Sequence, residues 1–138
     1  MYATQQDIID RYGQAELLLV ADRDGDGAAD PDVVNKALAD ATGKIDSYLA
    51  ARYPLPLATV PQVLVEACVE LALYKMAADG GTESDQRRRR YEDTLAWLKE
   101  LARGIASLGL EQAAPTVGGA VTVSGSGRLF TRDKMQGL

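Results

Sequence analysis

The chain has 138 residues, which is enough for one domain and too few for two domains of typical size. Its composition, 46% hydrophobic and 25% charged, is that of an ordinary globular protein and excludes a wholly disordered chain. The formal net charge of -5 argues against non-specific nucleic-acid binding, which depends on a basic surface.

Histidine is absent from the sequence, and there is one cysteine. The lack of histidine removes His–Zn sites, histidine general bases and Ser–His or Cys–His nucleophile pairs together. Cys68 has no partner for an intramolecular disulfide, so we interpret it as a small core residue in a reducing compartment. The N-terminus has neither a basic n-region nor an apolar h-region, so we expect no signal peptide.

Two short helices are predicted at the N-terminus. Thr4 can cap the first, which covers QQDIIDRY and closes at Gly13. The second runs roughly from Gln14 to Ala21. Neither would be stable alone at this length, so both must pack on the rest of the chain.

A turn-rich acidic loop, DRDGDGAADPD, follows from Asp22 to Asp32. Its spacing matches the first nine positions of an EF-hand calcium loop. The candidate ligands are Asp22, Asp24, Asp26 and Asp30. The twelfth position is Val33, however, so the bidentate glutamate that fixes calcium is missing. We favour an acidic connecting loop that caps turns, and keep a weak calcium site as the alternative.

The third helix is predicted from about Pro31 to Arg52, with Asp30 as its N-cap and apolar residues at three- and four-residue spacing. The Pro-Leu-Pro-Leu segment after Tyr53 must be extended, because each proline pushes the preceding residue out of the helical region.

The most apolar stretch is Pro61–Ala78, and we predict a buried helix there around which the others pack. Pro61 suits the first helical position, and the Gly80–Gly81 pair ends the helix. One narrow polar stripe remains: Gln62, Glu66 and Glu70. A transmembrane interpretation fails, because two glutamates and a lysine interrupt a run that would have to be nearly uncharged.

A last long helix is predicted to about Ala106, with Thr82 and Asp85 as a capping pair. It carries the apolar stripe Tyr91, Leu95, Leu98, Ala102 and Ile105.

Four consecutive arginines occupy positions 87–90 of this helix. Residues four apart predict three surface ion pairs: Glu83–Arg87, Arg88–Glu92 and Arg89–Asp93. We favour a solvated, self-compensated face over a phosphate site, with a subunit contact as the second interpretation.

The amino-acid composition of the chain changes from Glu111 onward. We therefore divide the chain into a helical domain, residues 1–110, and an extended C-terminal docking arm, residues 111–138. We expect the arm to be mobile in the free protein and ordered in an assembly. Residues 112–138 carry three basic groups and one acid, against 12 basic and 19 acidic groups in the remainder. The predicted partner-binding residues are Arg128, Leu129, Phe130, Arg132, Lys134 and Met135.

Several segments together resemble the Mu-like prophage head-tail connector (adaptor) family. They are MYATQQDIIDRYG, DRDGDGAAD, IDSYLAARYPLPLATVP, RRRRYEDTLAWLKELARG and RLFTRDKMQGL, which span nearly the whole chain. The Pro-Leu-Pro-Leu bridge after Tyr53 and the RRRYEDTLAWL segment are the specific parts.

The resemblance implies a small all-α protein that binds below the portal ring of a tailed-phage capsid. It implies a ring, usually twelve-fold, of neighbouring adaptor subunits between the portal and a downstream head-tail stopper or tail protein. DNA would pass through this channel without specific binding. It also implies location in the virion after assembly in the host cytoplasm, with no membrane, no cofactor, no metal and no enzymatic activity.

The residues alone leave two other hypotheses open. The first is an EF-hand-like calcium-responsive binding module, and the second is a host-directed regulator that binds DNA. No paired-acid spacing, nucleophile elbow or phosphate loop supports catalysis, so we predict no catalytic residues.

Overall fold

The computed structural model describes residues 1–110, which form five α-helices and, within that range, no strand. In chain order they are α1 (Gln5–Tyr12), α2 (Gln14–Ala21), α3 (Pro31–Leu49), α4 (Gln62–Gly80) and α5 (Asp85–Arg103). The predicted all-α fold of two short and three longer helices is therefore confirmed. The predicted C-terminal arm lies outside the described residues.

The central helix of the fold is α4, as predicted, because it packs against each of the other four helices. Its apolar side chains cover most of its circumference, so it can be buried from several directions at once. Its buried residues are Leu64, Ala67, Cys68, Val69, Leu71, Ala72, Leu73, Met76 and Ala77. The longer helices α3 and α5 lie against it and against each other.

The helix α3 begins at Pro31 as predicted but ends at Leu49, before the predicted end at Arg52. The backbone N–H groups of Arg52 and Tyr53 both donate to the carbonyl of Leu49, at 2.9 and 2.8 Å, which closes the last turn. Asp30 occupies the N-cap position, but its carboxylate does not cap α3. It accepts instead from the backbone N–H of Arg23, at 2.9 Å, within the preceding loop.

Two predicted helix starts shift by a residue or more. Pro61 is the N-cap of α4, with an extended backbone, and not its first helical residue. The predicted Thr82–Asp85 capping pair of α5 is wrong, because the hydroxyl of Ser84 accepts from the N–H of Arg87 at 3.2 Å. Thr82 instead helps to close the C-terminal end of α4, because its backbone N–H donates to the carbonyl of Ala77.

The helix α5 ends at Arg103, because Gly104 takes a left-handed backbone with φ of 82°. Ile105, predicted to extend the apolar stripe of α5, lies beyond the helix and is 71% exposed. The guanidinium of Arg52 lies close beneath Gly104, and the N–H of Leu108 donates to the hydroxyl of Tyr53 at 3.0 Å. The chain after α5 therefore runs towards the C-terminal end of α3.

The N-terminal hairpin of α1 and α2 packs on α4 from another side. Thr4 and Asp7 form a reciprocal capping box at the start of α1, which confirms Thr4 as its cap. Ile8, Leu17 and Val20 are buried beneath the hairpin. Among residues 1–110, none of the helices is long and apolar enough to cross a membrane.

Candidate functional site

The carboxylate of Glu70 lies where α1, α4 and α5 meet, and only 11% of its side chain is exposed. Arg90 Nε lies 3.2 Å from one of its oxygens, and Arg11 Nε lies 3.7 Å from the other. The hydroxyl of Tyr12 donates a hydrogen bond to the same carboxylate. Arg11, Tyr12, Glu70 and Arg90 are called the Glu70 cluster below. Glu70, which belongs to the polar stripe of α4, is therefore covered by α1 and α5.

Tyr12 completes the cluster through its ring as well as its hydroxyl. The guanidinium carbon of Arg90 lies 4.9 Å from the centre of the Tyr12 ring, in a cation–π contact. Burial, followed by the hydrogen bond to Glu70, raises the pKa of Tyr12. The phenol therefore stays a donor, and the cluster joins three helices through one carboxylate that two guanidinium groups share.

A groove of about 320 Å³ opens beside the Glu70 cluster, and we call it the α4–α5 groove. Its apolar lining comes from Val63 and Ala67 of α4 and Trp97 of α5. Its remaining lining is mostly charged: Arg11, Glu66, Glu70, Arg90, Asp93 and Thr94. An apolar patch with a polar rim is the general anatomy of protein–protein interfaces.

A second depression of about 240 Å³ continues the α4–α5 groove between α1 and α4. The two depressions share Arg11 and Glu66, so they form one continuous surface. Its carboxylates outnumber its guanidinium groups: Asp7, Asp10, Glu66, Glu70 and Asp93 against Arg11 and Arg90. The surface therefore favours a basic ligand.

The four arginines of α5 do not form a solvated face. The side chain of Arg87 is only 12% exposed, and its Nη2 lies 2.7 Å from Glu16 of α2. Its Nη1 donates to the carbonyl of Thr82 at 2.6 Å. Arg90 turns into the Glu70 cluster, so two of the four arginines join α5 to the N-terminal hairpin and to α4.

The predicted partners of these arginines are wrong. Glu83 pairs with Arg88 at 3.0 Å and not with Arg87. Within residues 1–110, Arg88 forms no ion pair with Glu92, and Arg89 forms none with Asp93. The long-range partners prevail because an exposed pair within one helix contributes only a few tenths of a kcal/mol.

The acidic loop folds around the carboxylate of Asp22. One of its oxygens accepts from the backbone N–H groups of Gly25 and Asp26, and the other accepts from Gly27. Asp24 and Asp26 each accept from the N–H two residues further on. This is the turn-capping arrangement favoured from the sequence.

The same folding gathers the four candidate calcium ligands. Carboxylate oxygens of Asp22, Asp24, Asp26 and Asp30 lie within 4.8 Å of one another. Desolvation acts to raise the pKa of Asp22, but the hydrogen bonds that its carboxylate accepts, led by that of the Gly27 N–H, together lower this pKa. The N–H of Asp26 acts to lower the pKa of Asp24, yet crowding by the Asp22 and Asp26 carboxyls raises it. The loop thus concentrates negative charge, which its own amides partly compensate.

The six predicted partner-binding residues, from Arg128 to Met135, lie outside the described residues. Sequence reasoning missed the Glu70 cluster and the α4–α5 groove. Two signals were present: glutamates four residues apart on an otherwise apolar helix, and arginines on two other helices that could reach them. The spacing alone did not show that α1 and α5 cover that stripe.

Fold and site together define a small all-α protein with an acidic, partly apolar groove on its surface. Residues 2–124 match the family described as Bacteriophage Mu, Gp36, and the chain belongs to that family. The predicted membership of a Mu-like phage family is therefore confirmed.

Two relatives are similar over almost their whole length. The chain is 39% identical over 141 residues to Mu-like prophage FluMu protein gp36 of Haemophilus influenzae, covering 100% of this chain and 98% of the relative. It is 36% identical over 135 residues to gene product J of Escherichia phage Mu, covering 95% of this chain and 94% of the relative. The chain is therefore similar to phage and prophage proteins from end to end.

Proposed function

We propose that the protein is a structural adaptor of a tailed-phage head-tail connector. In this role it forms a ring, twelve-fold as in the family resemblance, below the portal protein and extends the DNA channel towards the tail. Its partners are the portal, neighbouring copies of itself and a downstream stopper or tail protein. The single observation that carries the proposal is membership of the phage Mu family over residues 2–124.

The helical body supports this role. An adaptor has to transmit contact between two rings, which requires a body that keeps its shape. Here α4 packs against all four other helices, and the Glu70 cluster joins three of them through charged groups. The proposed role includes no enzymatic activity.

The acidic balance suits a channel through which DNA moves. Lysine and arginine contacts to phosphate create affinity by releasing counterions, whereas carboxylates do not. The net charge of -5 disfavours binding to phosphate, and two of the four consecutive arginines, Arg87 and Arg90, are turned towards carboxylates of the protein itself. In the proposed ring, acidic side chains line the channel more than Arg87–Arg90 do.

Deleting the gene from an inducible Mu-like prophage tests the proposal. We expect filled heads and separate tails in negative-stain images of the lysate, and joined particles when the gene is supplied from a plasmid. Antibody labelling of complemented particles should mark the head-tail junction. Joined particles without the protein, or complemented particles that do not contain it, would refute the adaptor role.

The calcium-responsive module is the alternative, and the gathering of four carboxylates within 4.8 Å is the observation in its favour. Val33 at the twelfth position counts against it, as do the backbone amides that already occupy both oxygens of Asp22. Isothermal titration with calcium decides between them. We expect no binding tighter than about the millimolar range of weak sites, and micromolar affinity would favour the module.

A further inference from the structure

We propose that the α4–α5 groove receives the Arg128–Met135 segment of a neighbouring copy of this chain. The inference rests on the proposed function for bringing copies side by side, and it names the surface at which one copy holds the next.

The groove combines two features that a ligand has to match. Val63 is apolar and yet 38% exposed, and together with Trp97 it forms an apolar patch in the groove. Glu66 keeps 41% of its side chain exposed despite its pair with Arg11, and Asp93 forms no ion pair within residues 1–110. A matching ligand therefore carries apolar side chains next to basic ones.

The C-terminal segment has this composition. Phe130, the only phenylalanine of the chain, stands with Leu129 between Arg128 and Arg132. Residues 112–138 carry three basic groups and one acid, while the rest of the chain has 12 basic and 19 acidic groups. Aromatic side chains with flanking arginines are the residue types that most often dominate binding energy at interfaces. Phe130 fits the apolar lining, and the arginines fit Glu66 and Asp93.

The path of the chain after α5 favours a neighbour's groove over its own. The N–H of Leu108 is bonded to Tyr53, and Gly104 lies on Arg52, so residues 104–108 run along the α3 flank of α5. The groove lies on the other flank, where α5 meets α4 and α1. Residues 111–138 could extend to roughly 90 Å at full length, which is ample to reach an adjacent copy.

Mixed cysteine cross-linking of the full-length chain tests the proposal. One chain carries Val63→Cys in the groove, and a second, tagged chain carries Thr131→Cys, which leaves Phe130 in place. Cys68 is buried, and burial raises its pKa, so its thiol stays out of the exchange. We expect a disulfide between the two chains when they are mixed with a mild thiol oxidant, which accepts the two electrons. The matched control replaces Val63→Cys by Glu92→Cys, an exposed α5 position outside the groove.

Three outcomes would overturn the proposal. The first is a cross-link no stronger than with Glu92→Cys. The second is a disulfide that forms only within one chain when that chain carries both Val63→Cys and Thr131→Cys. The third is a cross-link unchanged by Phe130→Ala. We expect Phe130→Ala to weaken the contact about tenfold, as for a buried aromatic anchor. The control Val117→Ala, outside the cluster of partner-binding residues, should leave it intact.

Charge exchange gives a second, independent measurement. Asp93→Lys in the groove should abolish the cross-link, whereas the control Glu92→Lys should leave it intact. Combining Asp93→Lys in one chain with Arg132→Glu in the tagged chain should restore the cross-link. Failure of this rescue counts against the proposal. The two proposals fail separately: cross-linking in purified protein does not need the phage, and the gene-deletion experiment reports head-tail joining without measuring which surface binds the segment.

Discussion

At the scale of single residues, Glu70 is the side chain on which the arrangement of the N-terminal hairpin depends most. It is the common partner of Arg11 and Tyr12 from α1 and of Arg90 from α5. Its side chain is only 11% exposed, and these donors replace hydrogen bonds to water that the carboxylate has lost.

Glu70→Gln should lower the free energy of unfolding by about 2 kcal/mol, because two guanidinium groups would lose their counter-charge in a partly buried place. Urea denaturation followed by circular dichroism measures this. The control is Glu66→Gln, whose side chain is 41% exposed and pairs with Arg11 at 3.4 Å. Loss of that pair should cost less than about 1 kcal/mol, and equal losses would contradict the role given to Glu70.

Two tyrosines predict a decrease in stability at alkaline pH. Tyr2 donates to Asp46 and Tyr12 donates to Glu70, and burial followed by these bonds raises both pKa values above 10.0. The unfolded chain loses these protons near pH 10.0, while the folded chain keeps them. Folded protein then binds more protons than unfolded protein, so this stability is complete below pH 10.0 and declines above it.

Urea midpoints taken below and above pH 10.0 measure this decline. Tyr12→Phe should make it less steep, although the variant is less stable throughout because Glu70 loses a donor. Tyr48→Phe is the matched control, since Tyr48 donates no hydrogen bond to a carboxylate within residues 1–110. An unchanged slope in Tyr12→Phe would mean that Tyr12 ionises alike in both states.

At the scale of helices, Arg87 joins α5 to α2. Its Nε and Nη2 donate to one oxygen of Glu16 at 3.0 and 2.7 Å, and Nη1 donates to the carbonyl of Thr82. The forked guanidinium makes these bonds in one plane, which a lysine could not reproduce. The start of α5 is thereby fixed both to the hairpin and to the end of α4.

Arg87→Ala should destabilise the protein by about 1–3 kcal/mol, because Glu16 and the Thr82 carbonyl would lose a charged donor. Arg88→Ala is a control of the same residue type on the same turn. Its side chain is 53% exposed and pairs only with Glu83, so the loss should stay below about 1 kcal/mol. Thermal and urea denaturation of both variants make the comparison, and equal effects would refute the distinction.

At the scale of the whole molecule, the division at residue 110 predicts the result of a truncation. Buried apolar residues of the described chain run from Ala3 to Leu101, so a chain that stops after Leu110 retains this core. Circular dichroism should show the same helical signal and a cooperative transition. The shortened protein should nevertheless fail to join the connector, and normal assembly would refute the docking arm.

Helix positions followed well from the sequence where apolar spacing determines them. Pro61–Ala78 could be assigned to the centre because few of its side chains tolerate water, whichever helices cover it. Helix ends were less predictable, because Thr82 and Ser84 are both good caps and only the turn geometry selects Ser84.

The groove and the ion pairs were not predictable in the same way. Arg87 and Glu16 are 71 positions apart, and no local spacing relates them. Local spacing predicted ion pairs between the arginines and nearby residues in sequence, whereas in the folded protein Arg87 and Arg90 pair with residues of other helices. Pattern analysis therefore located the core, and the charged contacts required the tertiary arrangement.

The attachment of the hairpin has a consequence for synthesis. Tyr12 is bonded to a residue 58 positions later, and Glu16 to one 71 positions later. Ribosomes add about 5–20 residues per second, so Glu16 waits roughly 4–14 s for Arg87 to be made. Until α4 is made, Leu17 and Val20, buried in the finished fold, lack the helix that covers them. The first part of the nascent chain therefore keeps apolar side chains exposed during synthesis, and its link to α5 forms only after Arg87 is made.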